Sequence, residues 1–117
     1  MSEDQINEIK AEIAAWTARV DAFPEAHARL NAGTTLLAMS REGTPWHEHG
    51  IATILKHVDA PELSFPARLN ALEWALDAAS PGSALGVQAK SKLEEVLAEK
   101  PTRLQRVSRA VRSALSI

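Results

Sequence analysis

The stretch Phe65–Ala79, FPARLNALEWALDAA, decides the fold class. Projected at about 100° per residue, Leu69, Ala71, Leu72, Trp74, Ala75, Leu76, Ala78 and Ala79 cover more than half of a helical cylinder. Asn70, Glu73 and Asp77 fall on one narrow polar stripe at i, i+3 and i+7. A helix with so thin a wet face is expected at the centre of a helical domain, touched on several sides.

The rest of the chain agrees with that class. Alanine accounts for 21 of the 117 residues, and β-branched and aromatic residues are sparse. Such a composition favours helices packed closely on small side chains. Upstream, Ile6, Ile9, Ile13, Trp16, Val20 and Phe23 recur at spacings of 3 and 4, a heptad seam on one helix. Ser2 and Gln5 make a capping box at its start, and Glu3 and Asp4 suit the positive end of the helix dipole. The seam is either one face of a bundle or a homodimer contact through Ile6, Ile9, Ile13, Trp16 and Val20.

Pro24 forces a boundary and fits the first turn of a second helix, which runs to about Ser40. Its inward residues are Ala26, Leu30, Leu37 and either Leu36 or Met39. Gly33 in its interior costs about 1 kcal/mol of helix propensity relative to alanine, which close approach of a neighbouring helix would explain. Thr44 and Pro45 read as the N-cap and first residue of a third helix with an Ile51, Ile54, Leu55, Val58 stripe. Ser64 or Phe65 caps the central helix. Ser80-Pro81-Gly82-Ser83 is the clearest break in the chain. A fifth helix follows, with Leu85, Ala89, Leu93, Val96 and Leu97 facing inward. Pro101 ends it. Thr102 and Gln105 form a second capping box, opening a basic helix over residues 102–116. No strand-like alternation and no fixed-period repeat is present. The expected fold is all-α: one domain over residues 1–117, a compact bundle or orthogonal array of five to six helices. Its core candidates are Trp16, Leu30, Leu37, Ile54, Leu55, Leu69, Leu72, Leu76, Leu93 and Leu97.

Composition narrows the function. There is no cysteine, so disulfide scaffolds, thiolate metal sites and thiol catalysis are excluded. The start, MSEDQINEIK, is acidic and has no apolar core, so a signal peptide is not expected. No apolar run approaches the ~20 residues that cross a bilayer. The sequence reads as a soluble, cytoplasmic-type protein with no membrane partner. Residues 1–100 carry a net charge of −6, and residues 101–117 carry +4 from four arginines with no acid.

Histidine supplies the one cluster that suggests chemistry. His47, Glu48, His49 and His57 lie within eleven residues, and these types ligate zinc and iron. Their spacing does not make a helical site. His47 and His49 point about 200° apart, and His49 and His57 sit about 12 Å apart along the axis. The helical metal pattern places His at i and i+4, whereas this is H-E-H. The expectation is no metal, with surface or capping histidines and His47 at the edge of the apolar stripe. No G-x-S-x-G, P-loop or G-x-G-x-x-G occurs, so no catalytic residue and no cofactor is assigned. A helix-turn-helix at Ser80–Ser83 would put Ala84, Leu85, Gly86 and Val87 where polar groups should meet bases, which does not suit DNA.

Arg103, Arg106, Arg109 and Arg112 step by three along one side of the last helix, opposite Leu104, Val107, Val111 and Leu115. Arginine forks onto phosphates or carboxylates, so these four are the candidate partner-binding residues. The expected function is a non-enzymatic interaction protein, an adaptor, inhibitor or regulatory subunit that binds another macromolecule, most readily a protein. Small accessory proteins of phage or mobile elements are one setting for such chains. Nucleic-acid binding through the basic helix is the alternative, and a histidine-dependent metal enzyme is third.

Overall fold

The computed structural model describes residues 2–99. They form five helices: α1 (Glu3–Asp21), α2 (Ala26–Met39), α3 (Pro45–His57), α4 (Phe65–Ala78) and α5 (Ala84–Ala98). The described residues contain no strand. The basic segment with its four arginines lies outside them.

Local chemistry sets the helix starts. Ser2 accepts from the Gln5 amide while the Gln5 side chain accepts from the Ser2 amide, so both halves of the capping box close. Thr44, Ser64 and Ser83 each accept from the amide three residues on. Pro45 and Pro66 stand in the first turns of their helices. Pro24 does not take its expected first-turn place. Glu25 behind it is extended, at φ −94° and ψ 130°, so α2 starts at Ala26 with no side-chain cap.

The centre of the domain is α3 and not α4. α3 packs against all four other helices, whereas α4 packs against α2, α3 and α5. Two glycines make the difference. A Cβ on Gly33 of α2 would sit 2.8 Å from Ile54 Cγ1 and 3.1 Å from the Gly50 carbonyl oxygen. A Cβ on Gly50 of α3 would sit 2.9 Å from Leu37 Cδ2 and 3.3 Å from the Gly33 carbonyl oxygen. The two helices therefore meet backbone to backbone where both lack side chains. Ile51, Ile54 and Val58 are buried beneath that crossing.

α4 uses one side only. Ala71, Leu72 and Ala75 are buried, Leu69, Leu76, Ala78 and Ala79 are half-buried, and Trp74 is 44% exposed beside Asn70, Glu73 and Asp77. Its wet face is wider than the polar stripe implies, because alanine and tryptophan tolerate water that a leucine stripe would not. Leu30, Leu37, Ile54 and Leu72 are core residues as expected, and Leu55, Leu69, Leu76 and Leu93 line the margin of the core. Trp16 is only half-buried, and Leu97 is 56% exposed near the end of α5.

Ion pairs close one end of the array. Arg68 donates from Nη1 and Nη2 to the Glu99 carboxylate at 2.6 and 3.1 Å, from Nη2 to Asp59 at 3.3 Å, and from Nε to the Val58 carbonyl at 3.0 Å. Lys92 reaches the same Asp59 at 2.8 Å. One guanidinium thus ties α4 to the end of α5 and to the link after α3. The Lys92 ammonium, with help from Arg68, holds the Asp59 carboxyl below its ordinary range. Among the described residues no helix is long and apolar enough to cross a membrane.

Candidate interaction surfaces

α1 is held to the body by its C-terminal half. Val20 is its only buried residue. Thr17 gives its hydroxyl hydrogen to the Ile13 carbonyl at 2.8 Å, so its oxygen accepts from His49 Nε2–H, also at 2.8 Å. The Trp16 ring meets the His49 ring edge-on at 5.3 Å and the Trp46 ring edge-on at 6.2 Å. At the helix end, Asp21 accepts from Lys56 Nζ at 2.6 Å and from His57 Nε2–H at 3.0 Å. The Lys56 hydrogen bond lowers the Asp21 pKa. Burial lowers the pKa of His49 and of His57. For His57 that effect outweighs the opposing pull of Asp21, whose carboxylate keeps water on its open side.

Among the described residues the N-terminal half of α1 has no such anchor. Ile6 is 40% exposed, and Ile9 and Ile13 are half-buried. Their seam runs into an open apolar groove between α1 and α2. Trp16, Val20 and Phe23 form one wall, Ala28, Ala32, Thr35, Leu36 and Met39 the other, and Trp46 closes an end. The groove encloses about 580 Å³. Met39 is 80% exposed and Phe23 40% exposed at its rim. Met39 therefore points outward, and Leu36 is the half-buried member of the pair.

The histidines separate. His47 is buried against Ser40, His49 turns to Thr17 and Trp16, and His57 turns to Asp21. Among the described residues no group of three or more His, Asp and Glu side chains could hold a metal ion. The structure does bring His47 close to residues that the sequence keeps apart: it lines an open recess with Glu42, Asn70, Glu73, Trp74 and Asp77.

The expected partner-binding residues Arg103, Arg106, Arg109 and Arg112 lie outside the described residues. Sequence reasoning found the α1 seam but missed the groove. Phe23 reads as an inward residue, the choice between Leu36 and Met39 stays open, and α2 has too weak an apolar stripe to announce a second wall. Comparison with known proteins finds no matching family model, no matching curated protein and no matching solved structure.

Proposed function

We propose that this chain is a non-enzymatic helical interaction protein, that it binds through α1 and the α1–α2 groove, and that a second copy of the chain occupies them. The observation that carries this reading is the continuity of a partly exposed isoleucine seam with an open apolar groove. Contiguous exposed apolar surface of this kind marks interaction sites in soluble domains. An amphipathic helix laid in a groove is a common recognition mode.

The register of α1 favours itself as occupant, in antiparallel orientation. Ile6, Ile13 and Val20 take heptad position a, and Ile9, Trp16 and Phe23 take position d. Two antiparallel copies match Ile6 to the exposed Phe23 and Ile13 to the half-buried Trp16, while Ile9 lies over Val20, which its own body already buries. The free half of one α1 then covers the grooved half of the other. At the flanks, Glu12 of each copy faces Arg19 of the other. A parallel pair would oppose Gln5 to Lys10 and Glu12 to Thr17, with no opposite charges matched. It would also bring the first-turn acids Glu3 and Asp4 of both copies to one end, where the two positive helix termini also meet.

Sedimentation equilibrium of the full chain at about 10 to 200 µM tests this, a range suited to micromolar affinity. The expected mass is that of two chains, and Ile9→Arg is expected to give one. Glu12→Arg and Arg19→Glu should each weaken association by about tenfold, within the reach of two symmetry-related pairs, and the double variant should recover it. A single-chain mass across that range overturns the homotypic reading. A dimer indifferent to both charge reversals overturns the antiparallel one.

A further inference from the structure

A second surface lies between α2, α3 and α4, away from the α1–α2 groove. It is an open recess of about 360 Å³ floored by Leu37 and Ala78. Glu42 comes from the loop before α3, His47 from the first turn of α3, and Asn70, Glu73, Trp74 and Asp77 from the exposed side of α4. The three carboxylates have no hydrogen-bond or ion-pair partner among the described residues. Asp21, Asp59 and Glu99 are matched to cations. Other surface acids such as Glu8, Glu12, Glu25, Glu48 and Glu62 are unpaired too among the described residues, and what sets Glu42, Glu73 and Asp77 apart is that they converge on one recess.

His47 supplies an independent observation. It is 6% exposed, and its buried Nε2 has no hydrogen-bond partner among the described residues. The proton on that ring can be located. Ser40 has one hydroxyl hydrogen and gives it to the Leu36 carbonyl at 2.6 Å. Its oxygen must therefore accept from His47 Nδ1–H, 2.9 Å away. In the neutral ring Nε2 then carries a lone pair and no hydrogen. A buried acceptor gains from a donor that reaches it, so a donor entering the recess is favoured at Nε2.

The three exposed carboxylates and the buried imidazole nitrogen all accept hydrogen bonds and donate none. The exposed Trp74 indole adds a flat face for a cation. A guanidinium meets every requirement: five N–H donors in one plane, a permanent charge, weak hydration and a preference for stacking on indole. An ammonium is a compact, strongly hydrated point charge and uses the indole less well.

The geometry points to a binding site for a guanidinium group, that is, an arginine side chain, in the Glu42–His47–Glu73–Trp74–Asp77 recess. The arginine has two sources: another protein, or this chain's own Arg103, Arg106, Arg109 and Arg112. The site stands independently of the α1 contact, since no residue is shared between them.

The test titrates isotopically labelled full-length chain with N-acetylarginine amide and follows the Trp74 indole N–H and His47 ring resonances. N-acetyllysine amide and N-acetylcitrulline amide are the controls. The arginine probe is expected to shift both resonances in a saturable way. Glu73→Gln with Asp77→Asn, both on the exposed side of α4, should weaken it about tenfold. If the chain's own arginines fill the recess, replacing all four by glutamine moves the same two resonances, and the added probe binds only after that replacement. If the arginine comes from elsewhere, the probe binds the unaltered chain. Resonances that respond neither to the probe nor to the four replacements overturn the proposal, as does equal response to the lysine and citrulline controls.

Discussion

Gly33→Ala puts helix propensity and tertiary packing in direct opposition. Inside an isolated helix the change stabilises by about 1 kcal/mol, because glycine surrenders more backbone freedom than alanine. In this fold the new methyl carbon would lie 2.8 Å from Ile54 Cγ1, 3.1 Å from the Gly50 oxygen and 3.2 Å from the Ile54 nitrogen. Two of those atoms are backbone, and Ile54 is 0% exposed with no space to retreat into. Relief requires α2 and α3 to separate, which loosens the largest helix contact in the domain. Overpacking of this kind costs about 1–3 kcal/mol, and the rigid surroundings argue for its upper part. The net expectation is a loss of about 1–2 kcal/mol. Urea unfolding followed by circular dichroism at 222 nm measures it. Ile54→Ala alone should cost about 2–5 kcal/mol, but it removes the atom nearest the new methyl. The double variant should therefore fall short of the summed losses by about 1 kcal/mol or more. A Gly33→Ala protein as stable as its parent, with additive losses in the double variant, would refute the backbone-to-backbone crossing.

Further outcomes are expected. Leu72→Ala, at a fully buried site, should lose about 2–5 kcal/mol in the same urea assay, and Leu76→Ala at the half-buried margin should lose visibly less. Stability should fall on acidification, and the sign follows from the two histidines. Both have pKa values below the ordinary 6.5 when folded, so the unfolded chain takes up protons first. Their contribution is complete above about pH 6.5 and declines as pH drops below it. Asp21 and Asp59, held below 3.8, add a second loss under that value. Thermal melts between pH 8 and 3 should show both steps, and the first should vanish in a His49→Gln, His57→Gln variant. The basic segment should bind duplex DNA, single strands and RNA poorly in gel shifts at about 50 mM salt, because a body of charge −6 repels phosphate. Sub-micromolar binding that Arg106→Glu with Arg109→Glu removes would move the function to nucleic acid.

Short-range chemistry made much of this protein legible without coordinates. A serine or threonine three residues ahead of a free amide defines its own cap, so Ser2, Thr44 and Ser64 mark helix starts by themselves. The 3.6-residue period identified all five helices of the described residues, besides the expected basic helix that lies outside them, and an alanine-rich chain with no alternating stretch left no other fold class. Burial is a different matter, because it depends on what lies opposite. His47, His49 and His57, expected at the surface or as caps, are buried or half-buried instead, each turned to a separate partner: Ser40, Thr17 and Asp21. Trp74 and Leu97 have the same apolar character as Leu72 and Val96, yet the first two face water and the last two are fully buried. Gly33 reads as a weak point in α2 that close approach of a neighbouring helix would explain, with no sign of which helix. Its function appears once Gly50, seventeen positions on, comes to face it and makes α3 the central helix. The groove and the acidic recess arise in the same way. Their walls come from helices whose crossing geometry sets which side chains converge, and no local pattern records that geometry.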